Sequence, residues 1–322
     1  MKKMKRIEWI DTAKGLLIVL VILGHIHSTH DSIWGGKDLI INGFHMAGFF
    51  ILSGMTFSVK RPVMENIIHK MRTLLLPYFF FSLIYLVYQY LKSIVFGGPE
   101  FNFMSGLGSI LIPISGLPTT SVYGLWFFPC LFIVEIALYI IVKLKRHNSI
   151  LLTSTLVLMA MVIHRFSGVV SIISIFPIAL CFMAVGYYFR QKIDVFRLSW
   201  ISSIICLIVF IVALTINYSI HGYTFDLSSL TIGYWSLYII CGISGSILIY
   251  FIASRFSSIA LFKTLGRDSM YYYGLHYCLI GVVEKIPYIG VVGRVILVVA
   301  ILYPLIILWH RLKASPTNST AK

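Results

Sequence analysis

The stretch Trp9–His25, WIDTAKGLLIVLVILGH, decides how the rest of the chain is read. Gly15–Gly24 is continuously apolar, yet Asp11 and Lys14 stand before it and His25 closes it. Ionisable groups inside a bilayer are costly and mark functional positions by default. Lys14 and His25 are eleven residues apart. At roughly 100° per residue that is about three turns plus 20°, so both project from one helix face, roughly 16 Å apart along the axis. Asp11, three residues before Lys14, is within pairing reach. One face thus predicts a cation at one mouth and an imidazole around mid-membrane.

The composition outside this stretch forces the membrane reading. Of 322 residues, 59% are hydrophobic and 11% charged, whereas soluble domains carry about 25% charged residues. Apolar runs long enough to cross a bilayer recur at Asp11–Thr29, Leu39–Val59, Leu74–Val95, Tyr123–Val142, Ile150–His164, Ser171–Phe189, Ser199–Tyr218, Ser229–Ala253, Ser269–Val283 and Val291–His310. The expectation is an all-α, polytopic integral membrane protein of about ten transmembrane helices. The membrane domain is expected over 1–314, and 315–322 reads as a polar tail.

A net charge of +15 raises nucleic acid as a partner, but the distribution excludes it. Twenty of the 26 basic residues fall at the termini and in every second gap, among them Lys60, Arg61, Lys70 and Arg72 after the second run. Five lie in the alternate gaps or at the start of the tenth run: Lys37, Lys92, Arg165, Lys285 and Arg294. This is the positive-inside pattern, and it puts both termini in the cytoplasm. MKKMKR imitates the start of a signal peptide, but Asp11 and Lys14 interrupt the run that follows, which reads as a retained first helix. The five cysteines show no CxxC or Cys/His ligand spacing, so neither a disulfide framework nor a metal site is expected. The loop from Phe96 to Val122 is long, with a semi-apolar segment at Phe101–Ile114 that lies on or dips into the membrane, or else is a plain connector.

Titratable residues within the runs are Asp11, Lys14, His25, His45, Glu135 and His276. Helices one and two are expected to be antiparallel neighbours, placing His25 and His45 at similar depth, as a base and a second acid/base or orienting group. Glu135 needs a partner, with His25, His45 or His276 as candidates. Each has a plainer reading: a snorkelling boundary lysine for Lys14, interhelical hydrogen bonds for the histidines, a helix-tying pair for Glu135. Ser53-Gly54 reads as a close-packing pair rather than a nucleophile, and His164 and His310 sit at span ends within reach of water. Ten helices with buried His, Glu and Lys would also serve a proton-coupled transporter or flippase, although no internal repeat is visible; a scaffold is a third possibility.

Five segments in order now carry a resemblance. Trp9–His25 resembles the basic-residue, ten-spacer, histidine motif of the acyltransferase family 3 membrane proteins, and among them the fucose 4-O-acetylase-like group, where lysine replaces the more common arginine. Phe44–Gly54 (FHMAGFFILSG) is similar to the family's FFxxSG-type second helix. KMRTLLLPYF (Lys70–Phe79), LWFFP (Leu125–Pro129) and LGRDSMYYYGLH (Leu265–His276) follow, the last with Asp268 in place of the usual asparagine. The resemblance implies acetyl-CoA as donor, no metal, and O-acetylation of a sugar hydroxyl on a surface glycan or lipid-linked precursor in the bacterial inner membrane. It makes His25 the catalytic candidate and Lys14 a donor-handling residue; by their placement in or beside the runs, His45 and Glu135 are expected to support His25, and Asp11, Arg72 and His276 to join Lys14 in handling the donor. Acyl-CoA, the glycan acceptor, membrane lipid and glycan-assembly proteins are the partners it implies. Some members add an external hydrolase-like domain; the expectation here is direct transfer or a separate partner protein.

Overall fold

The structure, a computed structural model, describes residues 7–26, 36–96, 102–111, 123–144, 172–190 and 199–314. Among these the protein is helical, and its one extended pairing is the isolated bridge Asp226–Thr231. The helices are α1 Glu8–His25, α2 Lys37–Asn42, α3 His45–Thr56, α4 Val63–Lys70, α5 Leu76–Phe96, α6 Phe103–Leu111, α7 Phe127–Leu144, α8 Ile172–Phe189, α9 Trp200–His221, α10 Trp235–Arg255, α11 Ala260–Arg267, α12 Ser269–Val283 and α13 Val291–Ala314.

Five stretches among the described residues are long and apolar enough to cross a membrane: Lys37–Thr56, Val63–Val95, Trp200–His221, Trp235–Arg255 and Val291–Lys313. Ser174–Phe189 is a shorter apolar helix. The expected span at Ile150–His164 lies outside the described residues, as does the tail from 315. α5 and α9 turn large apolar side chains outward, among them Leu83, Val87 and Leu91 on the one and Ile204, Ile208 and Ile211 on the other. Exposed apolar bands of that extent belong in lipid rather than water. The protein is a multi-pass membrane protein.

Boundaries moved where local chemistry overrode hydropathy. The second run is split into α2 and α3 at Gly43-Phe44. α4 and α5 join through a π-helical turn, Met71–Leu75. The eighth run begins six residues late, at Trp235, because Asp226 holds the hydroxyls of Ser228 and Ser229 at 2.6 and 2.7 Å in a folded loop. That loop seats Phe225, Leu227 and Ile232 in the interior. α6 gives the semi-apolar part of the long loop a helix, with Phe103, Met104 and Leu111 exposed and Tyr78 donating to the Ile110 carbonyl at 2.9 Å.

α1 is the central strut, packing against α2, α3, α10, α11, α12 and α13. Its crossing with α11 is backbone on backbone. A Cβ at Gly15 would lie 2.0 Å from the Phe262 carbonyl oxygen, and one at Gly266 1.7 Å from that of Asp11. Gly54 of α3 and Gly186 of α8 interlock the same way against the carbonyls of Met183 and Ile51. Small residues let helices approach where lipid offers no hydrophobic drive for association.

Candidate active site

α1 carries the two ends of the site. Lys14 lines a cavity of about 130 Å³ together with Phe49 and Ser53 of α3, Phe127 of α7, and Ser269 and Tyr273 of α12. Leu74, in the π turn, forms another part of its wall; such turns recur at functional sites because the extra residue re-aims neighbouring side chains. The wall is largely apolar, with Lys14, Ser53, Ser269 and Tyr273 as its polar members. Asp11 is buried where α11 crosses α1, and Arg72 is exposed on the π turn.

At the other end His25 occupies the last turn of α1. The hydroxyl of Tyr277 lies 2.8 Å from its Nδ1 and 3.2 Å from its Nε2. Its ring centroid is 5.2 Å from that of His276 and 4.5 Å from that of Tyr277. Tyr277 fits only because residue 124 is glycine, where a Cβ would fall 1.9 Å from the tyrosine ring. Lys37 is buried beside this end, donating to the Gly24 carbonyl at 3.3 Å and pairing with Asp38 at 2.5 Å. A cation there satisfies a terminal carbonyl and complements the helix dipole.

α12 links the two ends. Ser269, Met270, Tyr273, His276 and Tyr277 follow helical spacing and share one face. Tyr273 accepts the first backbone N–H of α7, from Phe127, at 3.3 Å, one of the donors a helix start leaves over. Its own carbonyl lies 2.7 Å from Nδ1 of His276. A carbonyl only accepts, so Nδ1 of His276 carries the proton. Nε2 of His276 is buried without a hydrogen-bond partner among the described residues.

Two expected partnerships are replaced. His45 turns its Nδ1 to the Ile41 carbonyl one helical turn back, at 2.7 Å. The second imidazole beside His25 therefore comes from His276. In the antiparallel pair Gly24 meets Ile41, so His45 sits about one turn further along the axis than the shared depth assumed. Glu135 pairs with Lys70 at 2.6 Å rather than with an imidazole, and Lys14 lies within electrostatic reach of it. This carboxylate belongs to the Lys14 end of the site. His276, expected to handle the donor, stands beside His25 instead. Asp268 pairs with His310 at 2.9 Å on a partly exposed rim.

Sequence reasoning missed Tyr273, Tyr277 and Lys70, though the one-face spacing on α12 marks both tyrosines once His276 is singled out. An acyltransferase-domain model matches residues 7–312 of the chain, almost its whole length. The chain belongs to acyltransferase family 3. No curated protein and no solved structure matched it. As an acyltransferase of this family, the protein has Lys14 and His25 joined by one helix, the cavity at the first and a Tyr–His pair at the second. Among the described residues no group of three or more His, Cys, Asp or Glu side chains is arranged to hold a metal ion.

Proposed function

We propose that the protein is a membrane-embedded O-acetyltransferase, moving an acetyl group from cytosolic acetyl-CoA to a sugar hydroxyl of a surface glycan or its lipid-linked precursor in the bacterial inner membrane. The observation that carries this reading is the division of one helix between a cation-lined cavity at Lys14 and a tethered imidazole at His25. The donor's phosphates face Lys14, Arg72 and the basic loops of the cytoplasmic side. A cavity of about 130 Å³ is small beside the roughly 300–1,000 Å³ of pockets that enclose drug-sized ligands. It takes part of the donor's extended arm and leaves the nucleotide outside, while the thioester runs on along α1 toward His25, roughly 16 Å further. His25 acts as base toward the acceptor hydroxyl or carries the acetyl group. Tyr277 orients it. Glu135 holds Lys70 and the field around Lys14, and His45 steadies the start of α3.

The test is the O-acetyl content of the host's surface glycans, read by NMR in wild type, gene deletion, and deletion complemented with His25→Ala. A signal lost on deletion and unrestored by His25→Ala at normal protein level supports transfer and identifies the acceptor. Unchanged acetylation with reduced glycan export would sink it in favour of a transporter.

A further inference from the structure

His276 is the one imidazole of the cluster whose state the geometry determines. Nδ1–H is committed to the Tyr273 carbonyl at 2.7 Å, so in the neutral ring Nε2 presents a lone pair. That nitrogen is buried and unpartnered among the described residues. A buried acceptor left unsatisfied costs about 1–3 kcal/mol, and a catalytic role is one of the reasons a fold retains such a group. The His25 ring lies 5.2 Å away, centroid to centroid. The same α12 face reaches the cavity through Tyr273, Met270 and Ser269.

We propose that the site divides its chemistry between two imidazoles, with His25 carrying the acetyl group and Nε2 of His276 taking the proton of the acceptor hydroxyl. The inference rests on the acetyltransferase reading and deepens it. Acetylation of one ring nitrogen withdraws electron density and leaves the other a weak base, and the second ring supplies a stronger one. In the first half-reaction a His25 ring nitrogen bonds to the thioester carbon and the C–S bond breaks. The departing thiolate takes the other ring proton of His25, giving acetyl-His25 and CoA thiol. In the second, the acceptor oxygen bonds to the acetyl carbon and the C–N bond breaks. The hydroxyl proton passes to Nε2 of His276 and returns to His25. Thioester plus alcohol becomes ester plus thiol, with no net proton change.

The experiment uses the full chain in membranes of the deletion strain, which hold the native acceptor, with acetyl-CoA as the probe. Released CoA and membrane-bound acetyl are quantified by mass spectrometry on rapid quenching. His276→Asn is the informative variant, because its amide N–H replaces the donor to the Tyr273 carbonyl while Nε2 is gone; His276→Gln is used if that variant is not recovered monodisperse. The expected result is a burst of CoA release near one equivalent per enzyme, acetyl on the His25 peptide, and steady-state transfer reduced at least ~100-fold. His25→Asn should give neither burst nor transfer. Transfer by His276→Asn within about threefold of wild type overturns the proposal, as does loss of the burst together with transfer in both His276 variants. If wild type itself releases no CoA, the acetyltransferase reading fails, a separate outcome.

Discussion

The Tyr277 hydroxyl sits 2.8 Å from Nδ1 of His25, joining α12 to the last turn of α1 across 252 positions of sequence. A net hydrogen bond of this kind is worth about 0.5–1.5 kcal/mol, which is a factor of roughly two to ten in rate if it is fully expressed in orientation. Tyr277→Phe should therefore lower kcat up to about tenfold with donor KM unchanged. Gly124→Ala should be worse, since its methyl would occupy the tyrosine ring's place. Single-turnover rates for the two variants check the order, and equal activity of Gly124→Ala and wild type would remove Tyr277 from the account.

Glu135 and Lys70 form an ion pair in which both side chains are mostly removed from solvent, with 8% and 18% exposure. Removing one member of a buried pair strands the other and costs on the order of 3 kcal/mol. Glu135→Gln should lower the thermal midpoint in detergent by several degrees, and the double variant Glu135→Gln/Lys70→Met should recover much of it. Lack of recovery would place Glu135's importance elsewhere.

Lys14 should act on donor binding rather than turnover. Lys14→Met is expected to raise the acetyl-CoA KM about tenfold, the equivalent of roughly 1.4 kcal/mol, while Lys14→Arg stays near wild type. A fall in kcat with KM unchanged would assign Lys14 to the reacting atoms instead.

Backbone contact between α1 and α11 leaves no room for a methyl group. Gly266→Ala drives its Cβ into the Asp11 carbonyl, whereas Gly36→Ala meets nothing within 4 Å among the described residues. Overpacking of this kind costs about 1–3 kcal/mol or more. The first variant should express poorly or melt early, and the second should match wild type, as read by fluorescence-detected size exclusion.

Asp268 pairs with a His310 that is 45% exposed. Exposed pairs contribute about 0–1 kcal/mol. Asp268→Asn should leave activity within about threefold of wild type; a larger loss would give this residue a role beyond the pair.

Much of this molecule was open to reading in one dimension. Hydropathy and charge alternation mark an all-helical membrane protein, because lipid constrains every residue of a segment alike. The Lys14–His25 spacing was equally legible, since both residues ride a single helix whose geometry is local. The ordered motifs led to the right family for the same reason: each lies within one segment. Partner choice was not legible. Which imidazole meets His25, and which cation meets Glu135, depends on how helices far apart in sequence cross. Those crossings are set by small residues that admit backbone contact, as at Gly15 with Gly266 and Gly124 with Tyr277. A glycine in a string says that closeness is permitted, and only the folded bundle says to what. The sequence by itself determined the solvent, the helical class and the two poles of α1. Tertiary packing alone decided that His276 and Tyr277 stand beside His25, because a contact across 252 residues is a property of the assembled helices and of no single one.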